Sequence, residues 1–169
     1  MTQTVLVTGA AGFIGSHAAE ALLRRGDRVV GLDNFDAYYD PAYKRRNLAE
    51  VRGAVPSPDA FELIEGDIRD GELLRRLFER CGFDAVVHLA ALAGVRASVG
   101  QATRYFDVNV GGTIHVLDAA VEHAVPNVIV ASTSSVHGDS SRLPFIEDDA
   151  CDRPLAPYPA SKRSCELLA

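Results

Sequence analysis

Val5 to Gly15 reads VLVTGAAGFIG, an apolar run that meets three glycines spaced three apart. The run Val5-Leu6-Val7 is continuous rather than alternating, the pattern of a strand buried on both faces of a parallel sheet, and Thr8 and Gly9 end it. After Gly12 the period changes. Phe13, Ile14, Ala18, Ala21 and Leu22 recur at helical spacing, and Gly26 behind the basic pair Arg24 and Arg25 is a helix stop. The stretch therefore predicts strand, tight turn and helix. In that arrangement Gly9 permits the turn, Gly12 lets a phosphate approach backbone N–H groups, and Gly15 lets the helix pack closely on the strand. The helix N-terminus offers unpaired N–H donors and a partial positive charge to a pyrophosphate. A purely structural turn is the competing reading, and the flanking strand and helix favour a dinucleotide site over it.

The 169 residues suffice for one domain with a substantial core, and an apolar content of 47% argues against disorder. A formal charge of −6 argues against a general nucleic-acid or acidic-membrane surface. With no signal-peptide pattern and no apolar run near the ~20 residues of a bilayer span, a cytoplasmic protein with neither nucleic acid nor membrane as partner is expected. Cys81, Cys151 and Cys165 are odd in number and lack CxxC spacing, which favours reduced thiols. His17, His88, His115, His123 and His137 lack paired-ligand spacing, so no metal site is expected.

Downstream, Arg28 to Asp33 is a second apolar strand that completes a β-α-β unit. Asp33 follows Gly15 by 18 positions, near the offset at which an acidic residue accepts hydrogen bonds from an adenosine ribose. A carboxylate there repels a 2′-phosphate, which favours NAD over NADP; an ordinary acidic strand end is the alternative. Pro41 opens a helix through Tyr43, Lys44, Arg45, Arg46 and Leu48, with Gly53 near its end, and the basic cluster reads as a solvated helix face. Val55 to Asp59 reads as a loop and Phe61 to Glu65 as a third strand. Asp67 and Ile68, at its carboxyl end, would border the adenine. Asp70 is expected to cap a helix through Leu73, Leu74 and Leu77 that Gly82 ends.

Ala85 to Leu89 reads as a fourth strand, with His88 as a satisfied interior histidine, and runs into the small residues Ala90, Ala91, Leu92, Ala93 and Gly94. A long helix is expected over Gln101 to Ala124, then a fifth strand, Asn127 to Ala131. That strand empties into Ser132, Thr133, Ser134 and Ser135, a hydroxyl cluster that is either turn chemistry or a substrate site. The alternation predicts an α/β doubly wound parallel sheet, a Rossmann fold beginning in the order 3-2-1-4-5.

The last segment, Tyr158-Pro-Ala-Ser-Lys162, sets a phenol and an ammonium four residues apart near a helix start, on a shared face. A phenol loses its proton near pH 10, so a base at neutral pH needs help. The Lys162 cation and an oxidised nicotinamide would supply it. A YxxxK spacing alone is common by chance; behind a dinucleotide turn and a hydroxyl cluster 25 residues upstream of the tyrosine it is specific.

From end to end, TGAAGFIGSH, LDNFDAYYDP, GDIRD, HLAALAGVRASV, NVGGT, STSSVHG and YPASK resemble the N-terminal part of an extended short-chain dehydrogenase/reductase of the NAD-dependent nucleotide-sugar epimerase/dehydratase family. Within it, LDNFDAYYDPAYKRRNL and AGVRAS are most similar to UDP-glucuronate 4-epimerases. The resemblance implies that Gly9, Gly12, Phe13, Ile14, Gly15, Asp33, Asn34, Asp67, Ile68, Leu89, Ala90 and Ala91 border NAD, together with Tyr158 and Lys162. It implies catalytic roles for Thr133, Tyr158 and Lys162, a place near the active site for Asn109, and substrate contacts for Arg96, Thr133, Ser134 and Ser135. A UDP-sugar substrate is implied, as is a homodimer through the helices at 101–124 and 158–169. The family usually carries tyrosine where His137 stands. Relatives continue past the YxxxK helix into a smaller substrate-gripping domain. Residues 1–169 are thus expected to be the NAD-binding domain alone, with little or no activity by themselves. A sugar-nucleotide 4,6-dehydratase is the enzymatic rival, disfavoured because Ser134 and Ser135 stand where an acid and base commonly follow the threonine. A non-catalytic NAD-binding module is the other.

Overall fold

A computed structural model describes residues 2–53, 57–139 and 143–169. Its elements, in chain order, are β1 (Thr4–Thr8), α1 (Phe13–Arg25), β2 (Arg28–Asp33), α2 (Pro41–Gly53), β3 (Phe61–Glu65), α3 (Gly71–Cys81) and β4 (Ala85–His88). They continue with the one-turn helices α4 (Val95–Ser98) and α5 (Ala102–Tyr105), then α6 (Gly112–Glu122), β5 (Asn127–Val130) and α7 (Pro157–Leu168). All strand pairings are parallel and the order is β3-β2-β1-β4-β5, as the alternation predicts. Among the described residues no helix is long and apolar enough to cross a membrane.

The continuous apolar runs are explained by helices on both faces. One face carries Leu6, Val30, Leu32 and Val86 against Leu74, Leu77 and Phe78 of α3 and Val116 of α6; the other carries Val5, Val7 and Val29 against Ala19 and Leu23 of α1. The punctuation residues behave as their chemistry requires. Gly26 adopts φ 96° and its N–H closes the end of α1, while the Asp70 carboxylate accepts the Leu73 N–H at 2.9 Å. A cap of that kind is worth about 1 kcal/mol.

The structure departs from the sequence reading in four places. The strands expected to end at Leu89 and Ala131 end at His88 and Val130. Within the loop expected at 55–59, Val55 and Pro56 lie outside the described residues, and Pro58–Ala60 forms a 3-10 turn that leads into β3. Arg96 sits on the unanticipated α4. The single helix expected over 101–124 is instead α5 and α6 joined by a π-helical segment, Phe106–Gly111. Such widened turns re-aim side chains, and this one carries Asn109.

Candidate active site

The site is built from the carboxyl ends of the strands. After β1 the chain turns on Gly9 (φ 70°), whose N–H donates to Leu32 O at 2.7 Å, and the Gly12 N–H returns to Gly9 O at 3.0 Å. A side chain on Gly15 would collide with the Gly9 carbonyl, so only glycine lets α1 begin this close to the turn. The first turn of α1 holds no acidic residue, which leaves its positive end uncompensated. Phe13 and Ile14 stand exposed at that end.

Asp33, buried at the end of β2, holds the turn from the other side. Its Oδ2 accepts the Ala11 N–H at 3.0 Å; its Oδ1 accepts the Phe35 N–H at 2.8 Å and Lys44 Nζ at 2.9 Å. Lys44 is therefore not part of a solvated basic face. Its ammonium turns inward from α2 because a buried carboxylate without a cation would be costly. Arg45 and Arg46 do stay outside, stacked over Phe35 and Tyr43 respectively. Asn47 adds a hydrogen bond to Ala11 O at 3.0 Å.

The third wall is the segment after β4. Thr8 Oγ1 accepts the N–H groups of Leu89 and Ala90, both at 3.1 Å, which commits its own proton to His88 Nδ1 at 2.7 Å. His88 then carries its hydrogen on Nε2, 3.0 Å from Thr113 Oγ1, and the Thr113 hydroxyl donates to Asn109 O. Burial, reinforced by the Lys162 charge, pushes the imidazole down to about 3, so His88 is a neutral, satisfied interior group as the sequence suggests. The Asn109 side chain accepts the Leu92 N–H at 2.7 Å and donates to Leu92 O at 3.0 Å and to Ser161 Oγ at 2.9 Å.

These walls enclose a cleft of about 310 Å³ that gathers Gly9, Gly12, Phe13, Ile14 and Gly15, then Asp33, Asn34 and Ile68, then Leu89, Ala90 and Ala91. Asp36, Tyr38, Tyr39 and Lys44, which the sequence reading did not assign to a site, also line it. Asp67 does not. Its carboxylate is taken up by Arg69 (Nε at 3.0 Å, Nη2 at 2.7 Å, N–H at 2.9 Å) and Asn34 Nδ2 at 2.9 Å. The Arg69 hydrogen bond, foremost among these, holds Asp67 far below the usual carboxylate range.

Tyr158, Lys162 and Thr133 stand apart from that lining. Tyr158 and Lys162 lie four residues apart on α7; the Tyr158 ring meets Tyr105 edge-on with centroids 6.2 Å apart, and its carbonyl accepts Ser161 Oγ at 2.7 Å. Lys162 is buried, and desolvation holds its ammonium pKa below the ordinary lysine value. Thr133 starts the 3-10 turn Ser134–His137 by accepting the Ser135 N–H at 3.2 Å. With Ser132, Ser134, His137, Arg163 and Glu166 it borders a second, open hollow. The hydroxyl cluster thus serves turn chemistry and a recess at once. His137 stacks on Phe145 with centroids 4.4 Å apart, and its Nδ1 lies 3.5 Å from both Cys151 Sγ and Asp149 Oδ2. Ser135 and Arg96 border neither hollow, and Arg96 is exposed.

The sequence and the fold have clear relatives. UDP-glucuronate 4-epimerase 4 of Arabidopsis thaliana is 45% identical over 98% of this chain and 37% of its own length. UDP-glucuronate 4-epimerase of Thermodesulfobacterium geofontis is 41% identical over 97% of this chain and 49% of its own. The chain therefore spans half or less of these curated relatives. Among solved structures, UDP-glucose 4-epimerase from Bifidobacterium longum, in complex with NAD+ and UDP, superposes with a TM-score of 0.87 at 33% identity, over 98% of this chain and 47% of that one. Residues 6–169 match the family described as GDP-mannose 4,6 dehydratase, and the chain belongs to that family of short-chain dehydrogenase/reductase-like epimerases and dehydratases.

Proposed function

We propose that this chain supplies the NAD-binding and hydride-transfer machinery of a UDP-sugar 4-epimerase, with a UDP-hexuronate as the favoured substrate. The observation that carries the reading is a connection: Ser161, inside the YxxxK helix, is hydrogen-bonded to Asn109, which clamps Leu92 in the wall of the cleft beside the glycine turn and Asp33. The residues fit NAD on their own chemistry. The uncompensated end of α1 suits a pyrophosphate and Asp33 suits ribose hydroxyls, while the small residues Ala90 and Ala91 admit a flat ring.

When bound, NAD would accept a hydride from C4 of the sugar and return it. Tyr158 takes the proton from the 4-hydroxyl and gives it back, and Thr133 hydrogen-bonds the same oxygen. Lys162, buried on the same helix four residues after Tyr158, would favour the phenolate by its charge. Ser134, at the open hollow, and Arg96 are the proposed sugar-side contacts, with Ser135 beside them. Asp67 would border the adenine through its backbone, since its carboxylate is already engaged by Arg69 and Asn34. The relatives' names favour epimerisation, and Ser134 and Ser135 in place of an acid and base weigh against dehydration. A second copy would meet the helices at 101–124 and 158–169; exposed Phe106, Val121 and Leu167 support that interface, and light scattering tests it. A cytoplasmic setting is supported by the free thiols of Cys81, Cys151 and Cys165.

Calorimetry should show NAD bound in preference to NADP, and equal binding would sink the role of Asp33. Residues 1–169, which span half or less of the curated relatives' length, should not by themselves epimerise UDP-glucuronate at a useful rate, because imperfect substrate positioning forfeits several powers of ten. Joined to the C-terminal part of the T. geofontis relative, the chain should turn over, and Tyr158→Phe in that fusion should abolish the rate. Turnover that survives Tyr158→Phe would overturn the mechanism.

A further inference from the structure

The segment between β2 and α2, Asn34 to Asp40, lines the cleft and is fastened at its root and again at its middle. At its root, Asp33 Oδ1 accepts the Phe35 N–H, Asn34 Oδ1 the Asp36 N–H at 2.9 Å, and Asp36 Oδ1 the Tyr38 N–H at 2.9 Å. Side-chain turns at Asp33, Asn34 and Asp36 stiffen the backbone locally. Tyr38 and Tyr39 then pack edge to face at 4.8 Å. Asp36, Tyr38 and Tyr39 face the cleft.

The middle of the segment reaches the opposite wall. Arg104 Nη2 donates to Asp36 Oδ1 at 3.2 Å and Oδ2 at 3.1 Å, 68 positions apart in sequence. The Tyr38 hydroxyl fills the space that a Cβ would occupy on Gly94, a residue at φ 95°. Gly94 is itself held, because Tyr105 Oη donates to Ala93 O at 2.6 Å and lies 3.4 Å from Gly94 O. Burial, and after it the nearby Tyr38 hydroxyl, raises the Tyr105 phenol, so Tyr105 stays a proton donor to that backbone. The two attachments are unequal. The root is anchored by the buried Asp33–Lys44 pair, whereas the latch is one exposed ion pair and one hydroxyl seated on a glycine.

We propose that Asn34–Asp40 is a strap over the bound dinucleotide, latched by Asp36–Arg104 and by Tyr38 at Gly94, and that it sets the release rate of the cofactor. The proposal rests on the NAD reading above and deepens it. A reaction that ends with no net oxidation must return the hydride from the same cofactor molecule that received it, so cofactor escape before that return strands a keto sugar. A strap rooted in the fold and latched by a weak pair opens without unfolding its root. Exposed pairs are worth little and are screened by salt, so ionic strength should loosen this latch.

The test loads the chain with NADH, chases it with excess NAD and follows the loss of bound-NADH fluorescence. Arg104→Gln and Tyr38→Ala should each release NADH about three- to tenfold faster, and the double variant should be no faster than the faster single, since the two contacts close one strap. Arg76→Gln, which breaks an exposed pair on α3, should leave the rate unchanged. Raising the salt concentration should speed release from the unaltered chain and not from Arg104→Gln. Melting curves confirm that each variant is folded. Unchanged release from both folded latch variants overturns the strap while the cofactor reading stands. Failure of the unaltered chain to bind NADH overturns that reading, and the strap falls with it.

Discussion

The two halves of the sheet are finished to different degrees. Five of the six residues of β2 are buried, and the carboxyl end of that strand is crosslinked by Asp33 to the glycine turn, to its own following loop and to α2. No residue of β5 is fully buried, and Ile129 is 62% exposed. One row of the sheet runs Leu63, Gly31, Val7, Val87 and Ile129 in register, so a single line passes from a dry interior at Val7 to solvent at Ile129. On the side of the molecule that would hold a dinucleotide, Thr8, Asp33 and Asn109 are already hydrogen-bonded within the fold. The side bearing Thr133 and the open hollow lacks a covering layer among the described residues. Under the proposed function, cofactor affinity and sugar contacts would reside in separable parts of the architecture.

The largest expected effect tests the finished half. Asp33→Ala leaves the Lys44 ammonium buried without its carboxylate and removes two backbone contacts, which should cost about 3 kcal/mol. In a domain of this size that lowers Tm by roughly 6–12 °C. The unpaired Lys44 would then stand where a 2′-phosphate can meet it, so the preference for NAD over NADP should narrow or invert. Adding Lys44→Met to Asp33→Ala should recover part of the stability and remove any gain for NADP. A loss below about 0.5 kcal/mol would mean that this half is not pre-assembled.

Gly15→Ala comes next. The new Cβ meets the Gly9 carbonyl, a backbone atom that cannot rotate away, so a loss of about 2 kcal/mol and weakened NADH binding are expected. Thermal melting with and without NADH reads both. Gly15 is also where sequence legibility was greatest. A glycine three residues after Gly12 at the head of an apolar-periodic helix has few other uses, and the strand order followed from the alternation alone. What the sequence could not show was the destination of long polar side chains. Lys44 stands among basic residues, and nothing local says that its stem turns inward to a carboxylate eleven positions earlier. The Asp67 carboxylate is taken by Arg69 of its own turn, whose side chain folds back on it, and by Asn34 from the distant turn after β2, a contact that nothing local in the sequence marks. The π-helical segment carries Asn109, whose contacts to Leu92 and Ser161 have long sequence separation and leave no local mark in the sequence.

A smaller effect separates the sheet centre from its surroundings by pH. His88 has its folded pKa lowered to about 3, so between about pH 6.5 and pH 3 the unfolded chain binds a proton that the folded chain refuses. The stabilisation is complete above the unfolded value and is lost as pH falls through that window, at most about 1.4 kcal/mol per pH unit. Acidification from pH 7 to pH 5.5 should thus cost about 1 kcal/mol through this residue. His88→Asn should be less stable at pH 7 and show a flatter loss in urea titrations over the same range. An identical slope in the variant would place the acid sensitivity elsewhere.

The smallest expected effect is also the sharpest test of the unfinished half. Ile129 and Val7 occupy one sheet row, two strands apart, yet Val7 is fully buried and Ile129 mostly exposed. A threonine keeps the β-branched shape that suits a strand while adding a hydroxyl, so the cost of the change reports on whether water can reach the site. At Ile129 water can, and Ile129→Thr should change stability by less than about 0.5 kcal/mol, the range of ordinary surface substitutions. At Val7 the same hydroxyl would be stranded between α1 and the sheet and should cost about 1–3 kcal/mol. If Ile129→Thr instead costs as much as Val7→Thr, the outer face of β5 is covered in solution, by a second copy or by other chain. A concentration-dependent Tm for the unaltered chain that Ile129→Thr abolishes would assign the cover to a second copy.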